Sequence, residues 1–129
     1  MMNYLIVAAG SAAGGVARYF CTGLASRLLS DTFPWGTLLV NVAGSLVIGI
    51  LAAFVTEDGA HPLVAHEARL LLMIGLCGGF TTFSSFSLET LNLARNGDWL
   101  AAGGYVAGSL LLCLAVTGAG YFGTVALQR

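Results

Sequence analysis

Long stretches without a single charged side chain constrain this chain more than any other feature. Thr32 to Thr56 is an uncharged run of 25 residues, Leu70 to Leu88 one of 19 and Trp99 to Gln128 one of 30. A further run extends from Met1 to Ala17 and resumes after Arg18 as far as Ser26. A helix of about 20 mostly apolar residues crosses the hydrocarbon core of a bilayer. Four such runs therefore predict an all-α membrane protein with four transmembrane helices. The expected spans are about 3–27, 34–56, 67–95 and 98–127, forming a single four-helix domain over residues 1–129. Composition agrees, since 57% of the residues are hydrophobic and 9% charged, against about a quarter charged in a soluble domain.

Polar, turn-forming segments separate the runs: Ser30-Asp31-Thr32-Phe33-Pro34, Glu57-Asp58-Gly59 with His61-Pro62, and Arg95-Asn96-Gly97-Asp98. Trp35 and Trp99 stand where interfacial aromatics belong. The Met-Met-Asn-Tyr start lacks the basic region and cleavage pattern of a secretory signal, so the first helix is expected to be retained. An even number of spans places both termini on one side. Arg69 and Arg129 then lie on that side and Arg27 and Arg95 on the other. Two against two gives no orientational preference under the positive-inside rule. Insertion in both orientations, and with it an antiparallel homodimer, becomes available.

Several function classes are disfavoured. The basic residues are five scattered arginines, with no run able to neutralise several phosphates, so no nucleic-acid partner is expected. Cys21, Cys77 and Cys113 lack the paired spacing of a zinc site and read as small buried hydrophobes. His61 and His66 fall near Glu57, Asp58 and Glu67 but match no metal motif, and no nucleotide-binding motif is present. The chain does not read as an enzyme.

The third span breaks the rules of a lipid-facing helix. It reads Gly75-Leu76-Cys77-Gly78-Gly79-Phe80-Thr81-Thr82-Phe83-Ser84-Ser85-Phe86-Ser87-Leu88-Glu89. Weak helix formers concentrated here predict a break between Gly78 and Thr82. Carbonyls freed at such a break are tolerated at membrane depth only against protein, water or an ion, and they suit a hard cation. Beyond it, Phe80, Phe83 and Phe86 are expected to form an aromatic stripe and Thr82, Ser85 and Glu89 a polar one beside it. Packing alone is the usual reason for aromatic spacing, but the interleaved hydroxyls suggest a polar track.

The other spans add isolated polar groups. Asn41 lies well inside the second, either as interhelical glue or as an amide donor facing an anion. Arg18 lies within the first, either buried among close-packed helices or snorkelling to an interface. Tyr105, Ser109, Cys113 and Thr117 recur at four-residue intervals in the fourth, with Gly104-x-x-x-Gly108 nearby as a close-packing pattern.

Three segments carry a resemblance: Gly14-x-x-x-Arg18-Tyr19, Gly36-Thr37-Leu38-x-Val40-Asn41-x-x-Gly44, and above all Gly75-x-Cys77-Gly78-Gly79-Phe80-Thr81-Thr82-Phe83-Ser84-x-Phe86-Ser87. Over nearly its whole length the chain resembles the fluoride channels of the Fluc (CrcB) family. That resemblance implies a dual-topology antiparallel homodimer in a bacterial plasma membrane, with two fluoride pores lined by both subunits. It implies a structural sodium ion held by the main-chain carbonyls of Gly78 and Thr81. It further implies Phe83 and Phe86 as rings bordering the ion path and Asn41 as a pore donor. Thr82, Ser85, Tyr105 and Ser109 become polar lining, and Cys113 stands where some relatives have a hydroxyl. Arg18 is assigned to the vestibule or to helix packing. Transport is expected to be passive. A proton-coupled exporter of the small multidrug-resistance type is the first alternative, although the first span has no carboxylate for proton exchange and Glu89 ends its run. A non-transporting membrane assembly subunit is the second.

Overall fold

The structure, a computed structural model, describes residues 1–30, 32–55 and 66–128. Asp31, the expected end of the second span at Thr56, the loop residues Glu57, Asp58, His61 and Pro62, and Arg129 lie outside the described residues. Among the described residues four helices are long and apolar enough to cross a membrane: Met2–Leu28 (α1), Trp35–Val55 (α2), the composite span His66–Arg95, and Trp99–Leu127. The composite span contains a short α3 (His66–Arg69), a π-helical stretch over Leu70–Cys77, α4 (Gly78–Phe80) and α5 (Phe83–Arg95). Trp99–Leu127 is α6.

Glycines draw these helices together. On α1, Gly10 and Gly14 are buried against the π-helical stretch and α4. A methyl on Gly75 would lie 2.8 Å from the Gly10 Cα, and one on Gly79 would lie 2.5 Å from the Ser11 carbonyl oxygen. The same holds between α2 and α6, where a methyl on Gly49 would run into the Thr117 carbonyl and one on Gly120 would lie 2.7 Å from the Leu46 carbonyl oxygen. Lipid tails are as apolar as the side chains, so close backbone approach supplies the dispersion contacts that water exclusion supplies in a soluble core. Gly104 and Gly108 are different: a methyl on either would meet nothing within 4 Å in the protomer.

The break falls at Thr81 and Thr82, whose backbones are extended at φ −81°, ψ 156° and φ −149°, ψ 114°. Gly78 and Gly79 remain helical. Gly79 therefore serves close packing, whereas Gly78 is exposed, and the interruption itself is made by two β-branched residues, which give up little by leaving the helix. Thr82 then starts α5, its hydroxyl accepting from the Ser85 N–H at 3.1 Å. The far end of α5 closes in a Schellman turn, with Asp98 N–H donating to Leu93 O and Gly97 N–H to Ala94 O, both at 3.0 Å. Gly97 takes the required positive φ of 85°. Asp98 caps α6 by accepting from the Ala101 N–H at 3.1 Å.

The expected Phe80, Phe83 and Phe86 stripe does not form as one. The extended pair rotates Phe80 away into an apolar crevice between α1 and α2, lined by Cys21, Leu24 and Val40 among others. The Phe83 and Phe86 rings stay together with centroids 5.2 Å apart. The polar stripe divides too. Thr82 donates its hydroxyl hydrogen to Ser85 Oγ at 3.1 Å, whereas Glu89 turns toward Thr37 and Tyr105.

Candidate ion pathway

Asn41 on α2 closes a two-bond clamp on the broken backbone. Its Nδ2 donates to the Thr82 carbonyl at 3.0 Å, and its Oδ1 accepts from the Thr82 N–H at 2.7 Å. In an unbroken helix that N–H would serve the Gly78 carbonyl, and the Ser85 N–H would serve Thr81. Both donors are diverted, one to Asn41 Oδ1 and the other to Thr82 Oγ1. Thr81 keeps its own N–H on the Cys77 carbonyl at 3.0 Å, so α4 ends cleanly before the break. Arg18 on α1 serves the Gly79 carbonyl, its Nε donating to it at 3.2 Å. Among the described residues no carboxylate pairs with Arg18.

One cavity of about 290 Å³ opens beside this arrangement, lined by Asn41, Thr82, Phe83, Phe86, Ser109 and Cys113 among others. The Gly78 and Thr81 positions border it as well. Phe83 is 73% exposed, so much of its ring faces out of the protomer, while Phe86 is buried. Ser109 is 6% exposed and its hydroxyl, fully enclosed, has no hydrogen-bond partner among the described residues. Buried hydroxyls without partners cost about 1 to 3 kcal/mol, and those that persist call for a reason.

A second, larger cavity of about 610 Å³ lies at the α1–α2 connection, with Phe33, Trp35, Thr37 and Glu89 in its wall. Between the two cavities stands the core formed by Leu38, Phe86 and Tyr105. Tyr105 is fully buried. Its hydroxyl donates to Glu89 Oε2 at 2.7 Å, and Thr37 Oγ1 donates to Glu89 Oε1 at 2.7 Å. Aromatic rings run without a gap from one cavity to the other, with centroid separations of 5.2 Å for Phe83–Phe86, 5.1 Å for Phe86–Tyr105 and 5.4 Å for Tyr105–Phe33.

The structure thus brings Asn41, Thr82, Phe83, Phe86 and Ser109 around one cavity. Ser85 stands at its edge through its bond to Thr82, and Tyr105 lies behind Phe86 with its hydroxyl directed to the second cavity's wall. Arg18 lies outside the cavity, on the backbone of α4. Neither Thr37 nor Glu89 is among the pore residues expected above, although Glu89 belongs to the expected polar stripe. Thr37 precedes Asn41 by four residues and so shares its helix face, a signal that could have found it. Nothing in sequence spacing links Glu89 to Tyr105.

Comparison with known proteins places the chain. The profile of the family described as CrcB-like protein, camphor resistance (CrcB), matches residues 5–121. The chain belongs to the CrcB family. Among CrcB relatives, a protein of Paramagnetospirillum magneticum is 49% identical over 129 residues, all of both chains. One of Opitutus terrae is 50% identical over 128 residues, covering 99% of this chain and 96% of the relative. A third, of Methylocella silvestris, is 48% identical over 128 residues, covering 99% and 97%. All three bear the name fluoride-specific ion channel FluC. With four candidate spans, this CrcB chain is a multi-pass integral membrane protein.

Proposed function

We propose that the protein is a passive, fluoride-selective channel that releases cytoplasmic fluoride across the bacterial plasma membrane and so lowers its toxicity. The observation that carries this reading beyond the relatives' names is the Ser109 hydroxyl, buried and unpartnered in the wall of the cavity beside the broken helix. A free donor at that depth is suited to a desolvated anion. Fluoride is small and tightly hydrated, so a selective path must replace its water with closely spaced donors. Asn41 contributes a second Nδ2 hydrogen beyond the one it gives Thr82. Phe83 and Phe86 can turn their positive ring edges to the ion. From there the path follows Phe86 to the Tyr105 and Thr37 hydroxyls at the second cavity. A membrane potential negative inside drives an anion outward by about 2.3 kcal/mol per charge per 100 mV.

The functional unit is an antiparallel homodimer. Phe83 is largely exposed, Gly78 is exposed, and the cavity beside them is open at the protomer surface. Lipid cannot satisfy irregular backbone or a polar cavity, whereas a second copy of the chain can cover both. The balanced arginines permit that copy to insert in the opposite sense. A sodium ion at the centre fits the donor set, because the Gly78 and Thr81 carbonyls lose their helical donors to Asn41 and Thr82, and bare carbonyl oxygens suit a hard cation. When bound, it would supply positive charge and tie the two breaks together.

The test is anion efflux from liposomes loaded with potassium fluoride or potassium chloride and opened by valinomycin. Rapid fluoride loss with chloride retained is expected, with slower fluoride loss for Phe83→Ile and Phe86→Ile. Retention of both anions would end the channel reading, and unchanged flux in both variants would remove the aromatic role.

A further inference from the structure

Cys77 and Cys113 both line the cavity beside the broken helix, and the function proposed above uses neither sulfur. Cys77 ends the π-helical stretch and is 4% exposed. Cys113 is half-buried on α6, one turn after Ser109. Both are free thiols. Threonine hydroxyls hold the backbone at the two positions: Thr81 Oγ1 donates to the Cys77 carbonyl at 3.0 Å, and Thr117 Oγ1 to the Cys113 carbonyl at 2.8 Å. The Thr117 hydroxyl also lies 3.1 Å from the Ser45 carbonyl oxygen, which ties this turn of α6 to α2. Ser109, buried and without a hydrogen-bond partner among the described residues, lines the same cavity and marks it as a place for a guest.

We infer that this cavity is a site for a thiophilic divalent metal ion of the Hg(II) type, bound linearly between the Cys77 and Cys113 sulfurs. Soft thiolate ligands select soft metal ions. Among the described residues no group of three or more His, Cys, Asp or Glu side chains could hold a metal, so a tetrahedral zinc site is not on offer. Two sulfurs suit an ion content with two ligands, and Hg(II) is such an ion. Two mercury–sulfur bonds form, two S–H bonds break and two protons leave for water. Nothing is oxidised or reduced, and the bound unit is neutral. Neutrality matters at membrane depth, where a net charge is costly. When the site is empty, its thiols are uncharged weak donors, so they do not oppose an anion in the same cavity. A filled site plugs the fluoride path, and this consequence alone rests on the channel reading.

Cys21 lines a separate crevice between α1 and α2, so Cys21→Ser leaves only the two thiols of the site. Purified full-length Cys21→Ser protein is titrated with mercuric chloride against a fixed concentration of EDTA. The ultraviolet sulfur-to-mercury absorption band should saturate at one ion per protomer. Adding Cys77→Ser or Cys113→Ser should raise the midpoint by about 100-fold or more, since losing even an outer-shell partner of a metal costs about 10- to 100-fold. Each variant is first checked for unchanged helical circular dichroism and elution volume. Cys113 is half-buried, so Cys113→Ser keeps the test open if Cys77→Ser does not fold. No band, two ions per protomer, or an unchanged midpoint in either folded variant overturns the site. In valinomycin-treated liposomes, fluoride efflux through the Cys21→Ser protein should stop as the site fills. Efflux that persists with the band saturated overturns the plug. Absence of efflux before mercury is added counts against the channel reading instead, and the titration still decides the site.

Discussion

Ser109 and Arg18 show how much a single side chain can mean at membrane depth. The Ser109 hydroxyl makes no hydrogen bond among the described residues, so Ser109→Ala removes none of theirs. Thermal stability should stay within about 0.5 kcal/mol of the parent, or rise, since an unsatisfied polar group is lost. Fluoride efflux should nonetheless fall, and parent-like flux would remove Ser109 from the path. Arg18 behaves in the opposite way. Its guanidinium serves the Gly79 carbonyl, just ahead of the break. Arg18→Ala leaves that carbonyl without its partner, at a cost of about 1.5 to 3 kcal/mol for a bond from a charged donor. A changed carbonyl carbon chemical shift at Gly79, read by NMR of labelled protein, should accompany the loss. No change at Gly79 would mean that Arg18 acts elsewhere.

Among the elements, the composite third span is the one that the rest of the bundle holds in place. Its upstream part is packed backbone to backbone against α1 through Gly10, Gly14, Gly75 and Gly79. Asn41 from α2 clamps the first residue after the turn of direction. Gly75→Ala should therefore destabilise the protein by about 1 to 3 kcal/mol, as overpacking does. Gly23→Ala, where a methyl meets nothing within 4 Å, should be neutral by comparison. Denaturation of the two variants in mixed detergent is the check. The sequence carried the presence of this break but not its cause. Gly78, Gly79, Thr81 and Thr82 are all weak helix formers, and propensity cannot choose among them. The choice was made by neighbours far along the chain, since α1 requires glycine where it crosses and Asn41 offers the Thr82 backbone both a donor and an acceptor. The π-helical geometry of Leu70–Cys77 left no mark in the sequence, because an unbroken apolar run reads the same in either helix.

At the scale of the whole molecule, a protomer with interrupted backbone and polar side chains beside an open cavity, and with Phe83 exposed, is incomplete in a bilayer. On the proposed reading, two copies in opposite orientations complete it. In a cysteine-free background, Asn96→Cys, at the exposed end of α5, should react with an impermeant thiol reagent in about half of the chains from either face of the membrane, following from the balanced arginines. Labelling of nearly all chains from one face would exclude dual topology.

From the sequence alone came the solvent, the number of spans and the polar side chains at membrane depth, because uncharged runs and intramembrane polar groups are local properties with few tolerable explanations. Only the tertiary structure decided what those polar groups do to one another. It engaged Asn41 with Thr82, Arg18 with Gly79 and Tyr105 with Glu89, and left Ser109 free. Hydrogen-bond partners 16 to 61 residues apart are set by which helix faces meet. That is fixed by the fit of glycine against backbone across the bundle, which no spacing within one helix encodes.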